Sequence, residues 1–154
     1  MILYELGQGK KLHDHEPFEL VKKENLKNKI FSMDVAAKQG YLITGHDKNL
    51  TLSKAKSFEK IWQKRPDPNR KVAPDHIKVM IDEYGAVAVT SCTDRQVMLF
   101  EVETGKLLCK AQCGEITTGM CFSENGKHLL TTSSLGVIYI WKLPDNVVDL
   151  LNRQ

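Results

Sequence analysis

The stretch that decides the fold is TGMCFSENGKHLLTTSSLGVIYIW, residues Thr118–Trp141. It repeats the pattern of an earlier stretch, IKVMIDEYGAVAVTSCTDRQVMLF at residues Ile77–Phe100, with a shift of 41 positions that places Gly85 on Gly126. A looser copy, IFSMDVAAKQGYLITGHDKNLTL, covers residues Ile30–Leu52. A recurring unit of about 40 residues indicates a repeat architecture.

Each copy has the sequence pattern of short strands joined by turns. A β-rich segment leads into a polar turn with glycine, then a second apolar segment, a second polar turn and an alternating strand. Glycine suits the first turn because it adopts positive φ without steric cost. More polar segments, SFEKIW (57–62) and KLLCKAQ (106–112), follow two of the copies as outer strands. Four short strands per unit predict the blade of a β-propeller.

The chain is therefore predicted to be all-β, with about three and a half four-stranded propeller blades and a short C-terminal helix. Strands are expected at Ile2–Leu6 and Pro17–Val21 in the partial blade, and Asp145 is expected to cap the helix. The predicted boundaries are 1–28 for the partial blade, 29–72, 73–113 and 114–143 for the repeats, and 144–154 for the tail. Because the end faces of such a stack expose apolar surface, further blades or a second copy are expected to complete the ring.

The third copy carries a family resemblance. Its segment FSENGKHLLTTSSLGVIYIW (122–141) resembles a WD repeat, in which a turn with glycine precedes small residues and an alternating strand ending in Trp. More closely, the chain resembles the C-terminal part of the second propeller in the mitogen-activated protein (MAP) kinase-binding and spindle-pole WD-repeat scaffolds. The matching stretches are MDV (33–35), IKVMIDEYG (77–85), VTSCTDR (89–95), EITTGMCF (115–122) and KHLLTTSS with VIYIWKL (127–143).

The resemblance implies a non-enzymatic protein–protein interaction scaffold in MAP-kinase signalling or spindle-pole and centrosome assembly, in the cytoplasm or on the cytoskeleton. This sequence departs from the family pattern in two places. Cys113-Gly114 stands where a Gly-His pair is usual, and the Trp-Asp pair is replaced by Trp141-Lys142, Phe100-Glu101 and Leu52-Ser53 in the three copies. The family's buried hydrogen-bond tetrad is therefore not expected here.

Two other functions remain open at this point. A structural propeller of cilia or centrioles would contact microtubules through the basic stretch Gln63–Lys71, in a salt-sensitive way. A propeller enzyme would need several acids or histidines at the central channel. The first strands supply only Asp34, His76 and Lys78 there, so no enzyme activity is predicted.

Charge is distributed unevenly along the chain. The net charge is +3, too small to predict a nucleic-acid binder, but residues 1–72 hold 15 basic and 9 acidic side chains. The predicted partner-binding residues lie in this half, within a basic loop that would meet an acidic partner such as a tubulin tail or phosphopeptide. The favoured alternative is an exposed, solvated loop at residues 63–74 next to an outer strand, where lysines hinder edge pairing. The predicted residues are Lys64, Arg65, Arg70 and Lys71.

No cofactor or metal is predicted. Cys109, Cys113, Cys121 and His128 have the wrong spacing for a zinc site. These three cysteines and Cys92 are expected to be reduced, mostly buried thiols. His13-Asp14-His15 is expected in a solvated loop, and Asp47 of His46-Asp47 in a turn-stabilising role. The standard phosphate-loop, hydrolase and metalloprotease motifs are absent.

Overall fold

The computed structural model describes the backbone of residues 2–6, 18–23, 28–69 and 76–153 of the 154-residue chain. The elements in these ranges, in chain order, are β1 (Ile2–Leu6), β2 (Phe18–Lys23), β3 (Ser32–Ala36), β4 (Tyr41–Gly45), β5 (Leu50–Lys54), β6 (Lys60–Lys64), β7 (Lys78–Ile81), β8 (Val87–Ser91), β9 (Gln96–Glu101), β10 (Leu107–Gln112), β11 (Thr117–Phe122), β12 (His128–Ser133), β13 (Ile138–Lys142) and α1 (Asp145–Asn152).

The strands form four antiparallel sheets. Sheet I pairs β1 with β2, sheet II has the order β3-β4-β5-β6, sheet III runs from β7 to β10, and sheet IV has the order β11-β12-β13. Consecutive strands are neighbours throughout, so each sheet is a simple meander. The prediction of an all-β repeat of blade-like sheets is confirmed.

Sheet IV differs from the predicted four-stranded unit. After β13 the chain passes through Leu143 and Pro144 into α1, and the described residues give sheet IV three strands. Proline has no backbone N–H to continue a strand ladder. Within the described ranges, the outer side of β13 is therefore a sheet edge.

The predicted glycine turns are present between the first and second strands of sheets III and IV. Gly85 has φ of +75° and Gly126 has φ of +64°. The N–H of Gly85 donates to Asp82 O, and that of Gly126 donates to Ser123 O, each at 3.0 or 2.9 Å. A side chain rarely adopts such φ values, which explains the repeated glycine.

Two apolar layers hold the stack together, one on each side of sheet III. The first joins sheets II and III and is centred on Ile43, Leu52 and Phe100. The second joins sheets III and IV and continues onto α1. Its fully or nearly fully buried members are Val87, Val89, Val97, Leu99, Cys113, Leu129, Leu143 and Val147.

Helix α1 lies where the tail was predicted to be helical, but its cap differs from the prediction. Pro144 occupies the N-cap position with extended φ and ψ, and no side chain caps the helix. Asp145 is the first helical residue, where its carboxylate still interacts favourably with the positive helix end. In the described ranges, α1 is too short and too polar to cross a bilayer.

Candidate interaction surface

The faces that join successive sheets use equivalent positions of the repeat. On sheet III, Val89, Val97 and Leu99 face sheet IV and are at most 4% exposed. The 41-residue shift carries these positions onto Leu130, Ile138 and Ile140 of sheet IV. Sheet IV therefore presents, on its far side, the same kind of surface that sheet III buries.

That far side is open to solvent in the structure. Ile138 is 64% exposed and Ile140 is 68% exposed. Cys121 is exposed beside the half-buried Leu130, in register with Ile140. We call Cys121, Leu130, Ile138 and Ile140 the open face of sheet IV. Contiguous apolar surface of this kind marks a place where a protein partner or another sheet packs.

The blade count predicts exposed end faces but does not identify these residues. The signal that identifies them is the repeat itself. Aligning residues 77–100 with 118–141 pairs the exposed Ile138 and Ile140 with the buried Val97 and Leu99.

The turn between β12 and β13 adds a further exposed apolar residue. Leu135 is 75% exposed and aligns with Asp94, whose carboxylate accepts a hydrogen bond from the Gln96 N–H at 2.9 Å. In sheet IV, Ser133 Oγ has taken over this role, because it accepts from the N–H groups of Leu135 and Val137 at 3.3 and 3.1 Å. The Leu135 side chain is thus not needed for the turn.

The family's full hydrogen-bond tetrad was not expected from the sequence, but a hydrogen bond of this kind is present in sheet IV. Trp141 Nε1 donates to Thr131 Oγ1 at 2.9 Å on the buried face of sheet IV. Above it, the Tyr139 hydroxyl donates to Glu115 Oε2 at 2.5 Å. That hydrogen bond, followed by desolvation, raises the pKa of Tyr139. Tyr139 and Trp141 also stack, with ring centroids 5.4 Å apart.

The predicted basic loop is only partly described. Arg70 and Lys71 lie outside the described residues, as do His13, Asp14 and His15. Lys64 Nζ donates to the Gly105 carbonyl of sheet III and lies 4.9 Å from the Phe100 ring centroid. Burial lowers the pKa of Lys64. Lys64 therefore joins two sheets, whichever further role it has.

The remaining part of that loop is less solvated than expected. Pro66 and Asp67 are buried, against the prediction of an exposed loop. Asp67 Oδ1 accepts a hydrogen bond from the Asn69 N–H at 3.0 Å, and its other oxygen lies 3.5 Å from Lys110 Nζ of β10. The carboxylate thus turns the chain back against sheet III. Arg65 is half-buried beside it, and its Nε has no hydrogen-bond partner among the described residues.

The isolated histidine and channel candidates make structural contacts. His46 Nε2 lies 3.0 Å from Thr44 Oγ1 and its Nδ1 lies 3.0 Å from the Lys29 carbonyl, so both ring nitrogens have partners other than Asp47. The predicted channel residues bind backbone or pack on rings. Asp34 Oδ2 accepts from the Ile81 N–H at 3.0 Å, Lys78 Nζ donates to Thr118 O at 2.8 Å, and His76 packs edge-on against Phe31.

The four cysteines are unpaired and do not cluster. Cys92 and Cys113 are buried as predicted, and burial raises the pKa of the Cys109 and Cys113 thiols. Cys121 is exposed, which contradicts the prediction of a buried thiol. The reason is strand alternation, since Met120 and Phe122 turn toward sheet III and Cys121 turns to the open face. Among the described residues, no three metal-binding side chains come together.

Half of the chain is similar in sequence to a curated WD-repeat protein. WD repeat-containing protein 62 from Mus musculus is 31% identical over 78 residues, which are 50% of this chain and 5% of that protein. The same protein from Sus scrofa is 30% identical over 78 residues, with the same coverage. The chain thus matches only a small part of these relatives. No protein-family model matches it.

Comparison of structures covers more of the chain. The structures described as "Structure of U3-55K" and "Crystal structure of RRP9 WD40 repeats" each superpose with a TM-score of 0.69. Each match covers 80% of this chain and 38% of the other chain, at 13% identity. Likeness at this identity shows the fold, and the packed sheets II, III and IV therefore have the fold of WD40-repeat propeller blades.

Proposed function

We propose that this chain belongs to a non-enzymatic protein–protein interaction scaffold of MAP-kinase signalling or of spindle-pole and centrosome assembly. Its WD40-type sheets and its 31% identity to WD repeat-containing protein 62 over 78 residues support this proposal. The kinase and spindle-pole roles rest on the resemblance of stretches such as Glu115–Phe122 to those scaffolds. We place the protein in the cytoplasm, at cytoskeletal structures.

A stack of stiff sheets suits this role. Its loops and faces lie at fixed positions, so a partner binds without the entropic cost of ordering them. The observation that carries the proposal is the open face of sheet IV, where Ile138 and Ile140 are more than 60% exposed. We propose that a further blade of a larger propeller, or a sheet of a second copy, covers this face.

The basic loop is proposed as the surface for an acidic partner, through Lys64, Arg65, Arg70 and Lys71. Exposed Lys56 and Lys60 lie in and next to β6 and extend the positive charge. Asp67 does not offset the cations at the surface, because its carboxylate is buried against Lys110 and the Asn69 N–H. Charge of one sign on a loop speeds encounter with an oppositely charged partner.

Binding of purified MAP kinases and spindle-pole proteins to the immobilised chain tests this proposal. The triple variant Arg65→Glu, Arg70→Glu, Lys71→Glu is expected to weaken binding by about tenfold at low salt. Lys106→Glu, an exposed lysine in the turn between β9 and β10, is the matched control and should change affinity by less than about twofold. Absence of binding to every protein of the panel would contradict the proposed function, and a triple variant with native affinity would contradict the role of the loop.

A further inference from the structure

Sheet II has small hydroxyl residues at two positions where the other sheets carry large side chains. In sheets II, III and IV a threonine of the second strand lies opposite a residue of the third strand. These pairs are Thr44 with Thr51, Thr90 with Met98, and Thr131 with Tyr139. Two residues further along the third strands, the corresponding residues are Ser53, Phe100 and Trp141. Thr51 and Ser53 therefore replace two large side chains of the repeat.

A cavity lies beside these two small residues. In sheet III, Met98 and Phe100 are fully buried in the layer between sheets II and III. Thr51 and Ser53 lie on the face of sheet II that is turned away from sheet III, because they alternate with Leu52 of that layer. Both line a cavity of about 390 Å³. We call it the hydroxyl cavity.

The polar groups around the hydroxyl cavity are suited to an anion. Apart from the Phe58 ring, its described lining residues are Asn28, His46, Thr51, Ser53, Lys60 and Gln63. None of these is a carboxylate, and Lys60 supplies an ammonium group. Lys60 Nζ donates to Gln63 Oε1 at 3.5 Å, which leaves two of its three N–H bonds for another acceptor. Hydroxyl, amide and ammonium donors that converge on one cavity favour a ligand with several acceptor oxygens.

The Thr51 hydroxyl is buried without a partner. Thr51 is 7% exposed, and its Oγ1 forms no hydrogen bond with any residue that the structure describes. The hydroxyl of Thr44, directly opposite, is already engaged, since its Oγ1 lies 3.0 Å from His46 Nε2. A buried hydroxyl without a partner costs free energy. A ligand oxygen that accepts a hydrogen bond from Thr51 would remove this cost.

Positive charge continues beside the hydroxyl cavity. Asn28 and His46 also line a neighbouring depression, to which Lys29 and Lys48 belong. Among its described lining residues, Asp47 supplies the single carboxylate. The two lysines outnumber this aspartate, so the rim is net positive and attracts an anion before it binds.

We propose that the hydroxyl cavity binds a phosphate group, with Thr51 and Ser53 donating hydrogen bonds from β5 and Lys60 donating from β6. Hydrogen bonds to a charged oxygen are roughly twice as strong as bonds between neutral groups, so these donors form a suitable set. A volume of about 390 Å³ accommodates inorganic phosphate as well as a phosphorylated side chain of a partner. The inference goes beyond the scaffold function, since it assigns a ligand site within the stack.

Titration of the whole chain with inorganic phosphate and with O-phosphoserine, followed by NMR at constant ionic strength, tests the site. The Thr51 and Ser53 amide signals should shift and saturate, with a dissociation constant below about 10 mM for at least one ligand. Tighter binding of phosphoserine would identify a phosphorylated protein as the source of the phosphate, and tighter binding of inorganic phosphate would identify the free ion. Either result supports the site, and no saturable shift with either ligand would overturn it.

Single substitutions separate the cavity from loose binding to surface lysines. Thr51→Val keeps the side-chain shape without the hydroxyl and should weaken phosphate binding by about tenfold or more. Lys60→Gln should weaken it to a similar extent. Lys56→Gln, at an exposed lysine in the turn before β6, is the matched control and should change affinity by less than about twofold. Native affinity in Thr51→Val would overturn the proposal, and so would equal losses in the two lysine variants.

A double variant fills the cavity. Thr51→Met, Ser53→Phe gives sheet II the side chains that sheet III has at these positions, and it should abolish phosphate binding. If this double variant unfolds, Thr51→Val alone decides. Because Thr51→Val changes no charge and lies outside the loop after β6, its result is independent of the kinase assay.

Discussion

Thr90 and Thr131 occupy the same place in the repeat and are both at most 1% exposed, yet their hydroxyls have different surroundings. Thr131 Oγ1 accepts the Trp141 N–H at 2.9 Å. Thr90 Oγ1 has no hydrogen-bond partner among the described residues. The position that supplies the indole in sheet IV is Phe100 in sheet III, and a phenyl ring has no N–H to donate. The free-energy cost of burying the hydroxyl is therefore offset by a hydrogen bond at Thr131 but not at Thr90.

The same substitution at these two positions should have different effects on the free energy of unfolding. Thr131→Val leaves the Trp141 N–H without its acceptor and is expected to destabilise the chain by about 1–2 kcal/mol. Thr90→Val removes an unpartnered hydroxyl from an apolar site and is expected to be neutral, or stabilising by up to about 1 kcal/mol. Urea unfolding of both variants measures the difference. Equal destabilisation of the two variants would refute this account of the network.

At this scale the sequence predicts positions better than contacts. The repeat aligns Thr90 with Thr131 and places Cys121 on the opposite side from its neighbours, as strand alternation requires. It does not show that Ser133 would take the role that Asp94 has in sheet III, or that Asp67 would lie next to Lys110 of β10. The serine turn depends on which local hydrogen bonds form, and the position of Asp67 depends on Lys110 of another sheet. The repeat pattern holds no information about either contact.

Among the elements, α1 shows how the tail contributes to the stack. Val147 is fully buried and packs with Val87, Val89 and Leu129 between sheets III and IV. On the same helix, Leu151 Cβ lies 3.5 Å from the place where a Cβ on Gly126 would stand. A helix of eight residues is unstable alone in water, so its stability comes from this packing.

Shortening Val147 tests that contribution. Val147→Ala should lower the free energy of unfolding by roughly 1–3 kcal/mol, because it leaves a cavity in the layer between two sheets. Asn146→Ala, at an exposed position of the same helix, is the control and should stay within about 0.5 kcal/mol of the wild type. Thermal and urea unfolding give both values. A Val147→Ala chain as stable as the control would mean that α1 does not hold sheets III and IV together.

The strands were predictable at the level of elements because alternation and glycine turns are local. The helix was predictable from its apolar spacing, but its cap was not. Pro144 directly precedes Asp145, and its fixed φ suits the start of a helix. Pro144 therefore takes the N-cap position and Asp145 is the first helical residue. After β13 the same proline leads the chain into α1, so the part of the chain that the structure describes gives sheet IV three strands, an outcome that the repeat pattern does not predict.

For the whole molecule, the repeat determines how the sheets stack and leaves one apolar face uncovered. Sheets II and III, and sheets III and IV, pack through equivalent positions. The open face of sheet IV repeats the side of sheet III that is buried, and on sheet II the exposed Met33 and Val35 lie on the side turned away from sheet III. An interface that joins two different faces of the same molecule builds rings or open chains when copies meet. The sequence predicted this incompleteness from the blade count, but which residues stay exposed required the register of each sheet.

Sedimentation of the chain tests this central claim most directly. If the open face is built to be covered by another sheet, the average mass of the wild type should rise above 17.5 kDa as its concentration is increased. The double variant Ile138→Glu, Ile140→Glu should stay at the monomer mass, with unfolding measurements confirming that it folds. A folded wild-type chain that sediments at 17.5 kDa at every concentration would contradict the account.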